Sequence, residues 1–288
     1  MMQTETIKLT CPDCKSEFDA RSIKIFESVV VLRQYCPACT KKRRQVEEAM
    51  EQAEQQKVIA AKRLKWRQTC GIPQKFINEE FGTFKTDQPG NIKKVYKACL
   101  DYAEGFNLLN PQGYKSLVLL SPNQWGVGKS HLACSICHYI LNRWNGENIA
   151  CPVFFTTEPD LLMRIRATFN KGQFNDNGAW WETEDSIIAQ MITVKLLVLD
   201  DVGKEEVADP RFVQRTLFKI INGRYNNNLP MIITANKTAG ELKDYLGGRI
   251  VTKDFEYPPN EASFNRLVEM ADFFQVNGES YRVKKKAG

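Results

Sequence analysis

The sequence predicts an α/β protein built on a central parallel sheet, preceded by a small four-cysteine module and a charged connecting helix. Three observations predict it. Four apolar runs, Ser116 to Leu120, Val153 to Thr156, Leu196 to Leu199 and Met231 to Thr234, alternate with helical stretches, and that alternation builds parallel strands joined by crossover helices. Two CPxC turns, Cys11-Pro12-Asp13-Cys14 and Cys36-Pro37-Ala38-Cys39, stand near the start. A charged stretch without Gly or Pro runs from Thr40 to about Gln68 and ends at Gly71-Ile72-Pro73, punctuation that closes a helix.

These features divide the chain into a module at 1–40, a connecting helix at 41–69 and a main domain at 70–288. At 288 residues, 43% of them hydrophobic, the chain is long enough to bury a sizeable core. No apolar run approaches the roughly 18 residues of a membrane span, and the start MMQTETIKLT lacks a basic flank leading into an apolar signal core. A cytoplasmic location with no membrane partner is the expectation. Of the formal net charge of +6, most lies early: residues 1–70 carry 14 Lys and Arg against 9 Asp and Glu. If nucleic acid is a partner, this quarter is one contact region.

In the module, Ile23 and Ile25, then Val29 and Val31, alternate as hairpin strands do. The two CPxC turns flank that hairpin with 21 residues between them. Four thiolates at this spacing suit a closed, structural zinc site held by Cys11, Cys14, Cys36 and Cys39. Cys134 and Cys137 also form a CxxC, but among Leu, Ala and Ile with no second pair, so they read as core residues. In the connecting helix Val46, Ala49, Met50, Ala53, Ala60 and Leu64 fall on one face. Lys41-Lys42-Arg43-Arg44, then Lys62, Arg63, Lys65 and Arg67, suit a phosphate backbone, a protein surface, or simply solvent.

In the main domain, Leu117-Val118-Leu119-Leu120 runs directly into Ser121-Pro122-Asn123-Gln124-Trp125-Gly126-Val127-Gly128-Lys129-Ser130 and then a helical stretch. Strand, loop and helix in that order are what a phosphate-binding P-loop requires. Backbone N–H groups around Gly126, Val127 and Gly128 wrap phosphates, Lys129 supplies charge to the β and γ oxygens, and the Ser130 hydroxyl ligates Mg²⁺. Asn123 replaces the usual first glycine, a tolerable exchange because Asn visits the left-handed region more readily than most residues.

Leu196-Leu197-Val198-Leu199-Asp200-Asp201 has the form of a Walker B strand: a continuous apolar run with two carboxylates at its carboxyl end, where open α/β sheets bind ligands. Asp200 is expected to hold Mg²⁺ through water and Asp201 to orient the attacking water. Met231-Ile232-Ile233-Thr234 ends likewise in Ala235-Asn236, placing an amide where it helps position that water. From Asp160 to Trp181, the basic Arg164, Arg166 and Lys171 precede Trp180-Trp181, a combination suited to single strands or to packing.

Read together, these motifs resemble the DnaC/DnaI/IstB group of AAA+ ATPases. The resemblance covers most of residues 66–283 and includes Gly71-Ile72-Pro73, Gly128-Lys129-Ser130-His131-Leu132-Ala133, Leu199-Asp200-Asp201-Val202-Gly203, Ile220-Ile221-Asn222-Gly223-Arg224-Tyr225 and Thr234-Ala235-Asn236. Leu246-Gly247-Gly248-Arg249-Ile250, Asn265-Arg266-Leu267 and Gly278-Glu279-Ser280-Tyr281-Arg282 complete the series. It implies the AAA+ P-loop NTPase fold with ATP as ligand, bound along Asn123 and Gly126 to His131; the His131 side chain itself reads as structural rather than catalytic. It also implies Asn236 as sensor 1, Arg249 as an arginine finger offered to a neighbouring subunit, and Arg266 as a sensor 2 arginine reaching the γ-phosphate. Thr252 to Ala262, with Pro258-Pro259, is longer than the family pattern.

The expected function is that of an ATP-dependent loader of a replicative hexameric helicase that also binds single-stranded DNA, self-associates through ATP-bound subunit junctions, and releases on hydrolysis. The alternatives are an IstB-like transposition helper ATPase and a nucleotide-dependent adaptor with little turnover. Asp201, standing where other AAA+ proteins commonly carry glutamate, keeps the latter open.

Overall fold

The computed structural model describes residues 4–25, 28–122, 124–169, 182–203, 209–252 and 255–281. Two compact units, Met1–Ala61 and Lys62–Gly288, make up the chain.

In the first unit, β1 (Thr4–Thr10), β2 (Glu17–Ile25) and β3 (Ser28–Val31) form an antiparallel sheet in chain order. The β2–β3 hairpin is the one the alternating Ile and Val predict. The first strand was not assigned from sequence, although Ile7 and Leu9 alternate with Thr6, Lys8 and Thr10 in the same strand-like way. Pairing of Thr10 with Glu17 closes β1 and β2 over the first CPxC turn. Helix α1 (Pro37–Thr69) begins inside the second, since Pro is pre-organised for a first helical position. Val46, Met50 and Leu64, which share a predicted apolar face, are all exposed.

The second unit carries α2 (Ile92–Gly105), β4 (Ser116–Leu120), α3 (Lys129–Arg143), β5 (Val153–Thr157), α4 (Glu158–Arg166), α5 (Glu184–Thr193) and β6 (Leu196–Val202). It continues with α6 (Pro210–Asn226), β7 (Met231–Ala235), α7 (Ala239–Gly247), the short β8 (Ile250–Val251) and β9 (Glu256–Tyr257), α8 (Ala262–Met270) and β10 (Ala271–Gln275). The four predicted strands join β10 in one parallel sheet of order β10-β4-β7-β6-β5. Every residue of β4 and β7 is buried, as expected of parallel strands covered on both faces.

Alternate strand residues Val118, Leu120, Leu197, Leu199, Met231 and Ile233 share one core with Leu161, Ile187, Leu217, Leu242 and Leu267 from α4 to α8. Arg224, from α6, is fully buried there. Its guanidinium donates to the carbonyls of Met191 (2.7 Å), Val194 (2.9 Å) and Pro230, tying the end of α5 and the starts of β6 and β7 together. Among the described residues no helix is long and apolar enough to cross a membrane.

Candidate nucleotide site and cysteine cluster

The sheet order puts three predicted groups at one edge. The phosphate loop leaves the carboxyl end of β4, the acidic pair ends β6, and Asn236 follows β7, which lies between them. Gly126 and Gly128 both have positive φ, 78° and 97°. At Gly128 a Cβ would also stand 2.6 Å from the Phe84 ring, so conformation and space both demand glycine. Gly128 caps α3, whose first two residues are Lys129 and Ser130. The loop therefore ends on the N-terminus of α3, whose dipole favours an anion there.

Lys129 is buried, and its ammonium donates to Asn236 Oδ1 at 2.6 Å and to the Ser121 hydroxyl. Ser130 Oγ donates to Asp200 Oδ1 at 2.8 Å, and Thr234 Oγ1 donates to the same oxygen at 2.6 Å. Asp200 is 2% exposed. Burial pushes its carboxyl above the usual range and the neighbouring Asp201 charge adds to this, while the two hydroxyls and the Lys129 ammonium oppose it. The structure thus brings together Lys129, Ser130, Asp200 and Asn236, and adds Ser121 and Thr234. A hydroxyl closing the otherwise apolar run Met231 to Thr234 was the available signal for the latter.

Asp201 occupies a bulge. Leu199 pairs with Ile233 and Val202 with Ala235, so β6 spends one residue more than β7 over the acidic pair, and Asp201 takes up the excess at φ 57°. Bulges of this kind re-aim a side chain, and Asp201 lines a solvent-open cavity of about 840 Å³ together with Gly126, Val127, Gly128, Lys129, Ser130, His131 and Asn236.

Phe76, Glu79, Trp125 and Tyr281 line the same cavity and were not assigned from sequence. Trp125 interrupts the loop as an exposed aromatic, 59% accessible, which was a usable signal. Tyr281 arrives only through the fold: its N–H donates to Gly126 O at 3.0 Å and its ring packs on Phe84. His131 lies against the preceding segment, with Nδ1 3.1 Å from Glu79 Oε2 and Nε2 3.0 Å from Glu80 O. Cys134 and Cys137 are fully buried, and burial pushes both thiols well up.

The two arginines stand apart from this cavity. Arg249 is 62% exposed and ion-paired with Glu256. That partner lies on β9, which pairs antiparallel with β8 directly after Arg249. Arg266 does not take the expected position over its own phosphate site. It stacks on Phe218 and Tyr225 of α6, 5.4 and 5.6 Å from the ring centroids, and donates to Ala262 O. Helix α6 leaves the carboxyl edge of β6 and returns to the start of β7, so Tyr225, near its end, belongs to the opposite edge of the sheet. Asn123, Lys171, Trp180 and Trp181 lie outside the described residues. Arg164 pairs with Glu182, and Arg166 stacks over Phe212.

In the first unit the Sγ atoms of Cys11, Cys14, Cys36 and Cys39 all lie within 4.8 Å of one another, and Cys14 and Cys36 are 3.6 Å apart. Tetrahedral zinc–thiolate bonds of about 2.3 Å require sulfur edges of about 3.8 Å, so the four fit one ion with no open position. Burial raises the Cys11 thiol, but hydrogen bonds from the Cys36, Cys14 and Asp13 backbone outweigh it and bring it to about 6. Cys39, hydrogen-bonded to Cys14 and Cys36, is pushed up to about 12. Arg43 holds the first turn through a two-pronged bond to Asp13 at 2.6 and 2.7 Å.

A family model described as IstB-like ATP binding protein matches residues 111–288, more than half of the chain. YqaM of Bacillus subtilis is 27% identical over 187 residues, 62% of this chain and 54% of that protein. An ATP-binding protein of insertion sequence IS5376 from Geobacillus stearothermophilus is 26% identical, over 60% of this chain and 57% of its own length. The replicative helicase loader DnaC of Escherichia coli is 24% identical, over 64% and 65%. The match thus spans between 54% and 65% of these relatives' length. The solved structure of the DnaC helicase loader superposes with a TM-score of 0.53 at 21% identity, covering 71% of this chain and 100% of that one, and so shares its fold. This chain belongs to the IstB-like ATP-binding family of AAA+ P-loop proteins.

Proposed function

We propose that the chain is a cytoplasmic, ATP-hydrolysing loader of the DnaC kind, with a zinc module at 1–40, a connecting helix at 41–69 and the ATPase domain at 70–288. One observation carries the reading of the site. Lys129–Asn236 and Ser130–Asp200–Thr234 form adjoining hydrogen-bonded sets, and Lys129, Ser130, Asn236 and the bulged Asp201 line a common cavity.

In this reading the N–H groups of Gly126, Val127 and Gly128 cradle the phosphates and Lys129 neutralises the β and γ oxygens. Ser130 and Asp200 would hold Mg²⁺, which would offset phosphate charge when bound. Asp201 orients the attacking water and Asn236 helps position it. The Phe76, Trp125 and Tyr281 rings supply the apolar surface a nucleobase needs. Arg249, exposed and outside its own cavity, is offered to a neighbouring copy's γ-phosphate, where a guanidinium stabilises spreading charge. Arg266, packed on α6, has no part in this set. Cys11, Cys14, Cys36 and Cys39 hold structural zinc, and the surrounding module recognises a replicative helicase or single-stranded DNA. Likeness to DnaC and the cysteine module, which a transposition helper is not expected to carry, favour the loader. The family model and the IS5376 relative keep the helper as the second reading.

ATP turnover measured on the wild type, Lys129→Ala and Arg249→Ala tests this. Lys129→Ala is expected to lose ATP binding, and Arg249→Ala to keep binding while losing turnover. An Arg249→Ala protein that turns over at the wild-type rate sinks the finger assignment. Pull-down of a hexameric helicase supports the loader; recovery of a transposase supports the helper.

A further inference from the structure

We infer that Glu158 is a positioning residue for hydrolysis: it clamps the exit of the β6 bulge and so keeps Asp201 aimed into the cavity. The inference rests on the reading of Asp201 as the water-orienting group.

Glu158 opens α4, one residue beyond the end of β5, and is a charged side chain only 1% exposed. Thr157 pairs with Asp200 across β5 and β6, which sets Glu158 beside the strand exit. Its Oε2 accepts the Gly203 N–H at 2.5 Å and its Oε1 accepts the Tyr245 hydroxyl at 2.8 Å. The start of a helix favours a carboxylate, but burying one in a core layer is unfavourable unless its oxygens are engaged.

The geometry of β6 explains what this carboxylate does. A non-glycine residue in the left-handed region persists only where its surroundings over-determine it. At Asp201 the constraint comes from two sides. Before the turn, the Asp201 N–H donates to Thr234 Oγ1 at 3.0 Å. After it, the Gly203 N–H is taken by Glu158. Gly203 itself has φ 75°, and a Cβ there would stand 2.0 Å from the Lys237 side chain, so the backbone at this point is enclosed. Lys237 in turn places its ammonium 5.1 Å from the Tyr245 ring, and Tyr245 closes the other arm of Glu158. Thr234 fixes the entry of the bulge and the Val202–Ala235 pairing its far side; the Glu158 bond to Gly203 tightens the backbone just beyond, and losing it loosens the turn that aims Asp201.

Glu158→Gln keeps size and shape but presents one acceptor oxygen to two donors. With steady-state ATP turnover as the readout, kcat is expected to fall by about 10²-fold, the effect of misplacing a reacting group by about 1 Å, while KM for ATP stays within about twofold. Tyr245→Phe removes one arm and is expected to lower kcat by about tenfold, with no further loss when added to Glu158→Gln. Unchanged kcat in both variants overturns the inference. So does a fall in ATP binding that matches the fall in kcat, because a merely structural role moves both. Should Glu158→Gln not fold, the same kcat and KM split in Tyr245→Phe decides. A wild type without turnover sinks the hydrolytic reading and this inference together, whereas an active wild type with unaffected variants overturns only this one.

Discussion

Replacing Asp200 by Asn is expected to abolish ATP turnover and yet stabilise the protein in the absence of nucleotide. Asp200 is 2% exposed, and the Ser130 and Thr234 hydroxyls both donate to its Oδ1. The amide oxygen of Asn accepts the same two bonds, so the substitution removes a buried charge and leaves the geometry intact. Burial raises the Asp200 pKa, which means that ionised Asp200 opposes folding. Relief of that burden is worth about 1 kcal/mol, the usual scale for neutralising a functional residue, and raises Tm by about 2–4 °C in a domain of this size.

The pH dependence follows from the sign. A carboxyl raised on folding binds protons more tightly in the native state, so its penalty is complete above the folded pKa and fades as pH falls towards the ordinary aspartate value near 3.9. Wild type and variant should therefore differ at neutral pH and converge in acid. Scanning calorimetry of both proteins, with and without Mg²⁺ and ATP, is the assay. Nucleotide should stabilise the wild type more than the variant. A variant that melts below the wild type at neutral pH without nucleotide would refute the reasoning, because the charge would then be stabilising where it lies.

Two further outcomes concern groups outside the phosphate site. The protein should carry about one zinc per chain, and Cys14→Ser should lose it and open the β1–β3 segment to protease; zinc retained in that variant excludes the four-cysteine site. Arg224→Met should destabilise the protein by about 3 kcal/mol or more in urea denaturation, since several buried carbonyls lose their donor at once. Arg224→Lys should recover less than half of that loss, because an ammonium cannot reach carbonyls on α5, β6 and β7 from one point. Full recovery by Lys would mean that charge alone matters there.

The groups legible in the sequence are those whose chemistry lies within one short segment. Gly126 to Ser130 follows an apolar strand and opens a helix, so loop, dipole and ammonium are contiguous in the chain. Asp200 and Asp201 end a run that has to be buried, and a buried parallel strand delivers its last side chains to the ligand edge. The cysteine pairs carry their ligand geometry in their own spacing. Arg266 went the other way: its neighbours in the chain match a motif, but the packing of α8 on α6 carries it to the far edge of the sheet. The apolar stripe of α1 was likewise legible as a face, and the fold leaves Val46, Met50 and Leu64 exposed.

By itself, then, the sequence determined the parallel α/β class, the phosphate loop, the acidic strand end and the four thiols, because each depends on local backbone geometry and on hydrophobic period. Only the tertiary structure decided that β7 lies between β4 and β6, so that Asn236 meets Lys129 and Thr234 meets Asp200. It alone brought Tyr281 to Gly126 and set Glu158 on Gly203. Those contacts join residues from 34 to 155 positions apart, and no local propensity records them. They exist because strand order and register, fixed by burying both faces of the sheet, choose which strand ends stand side by side.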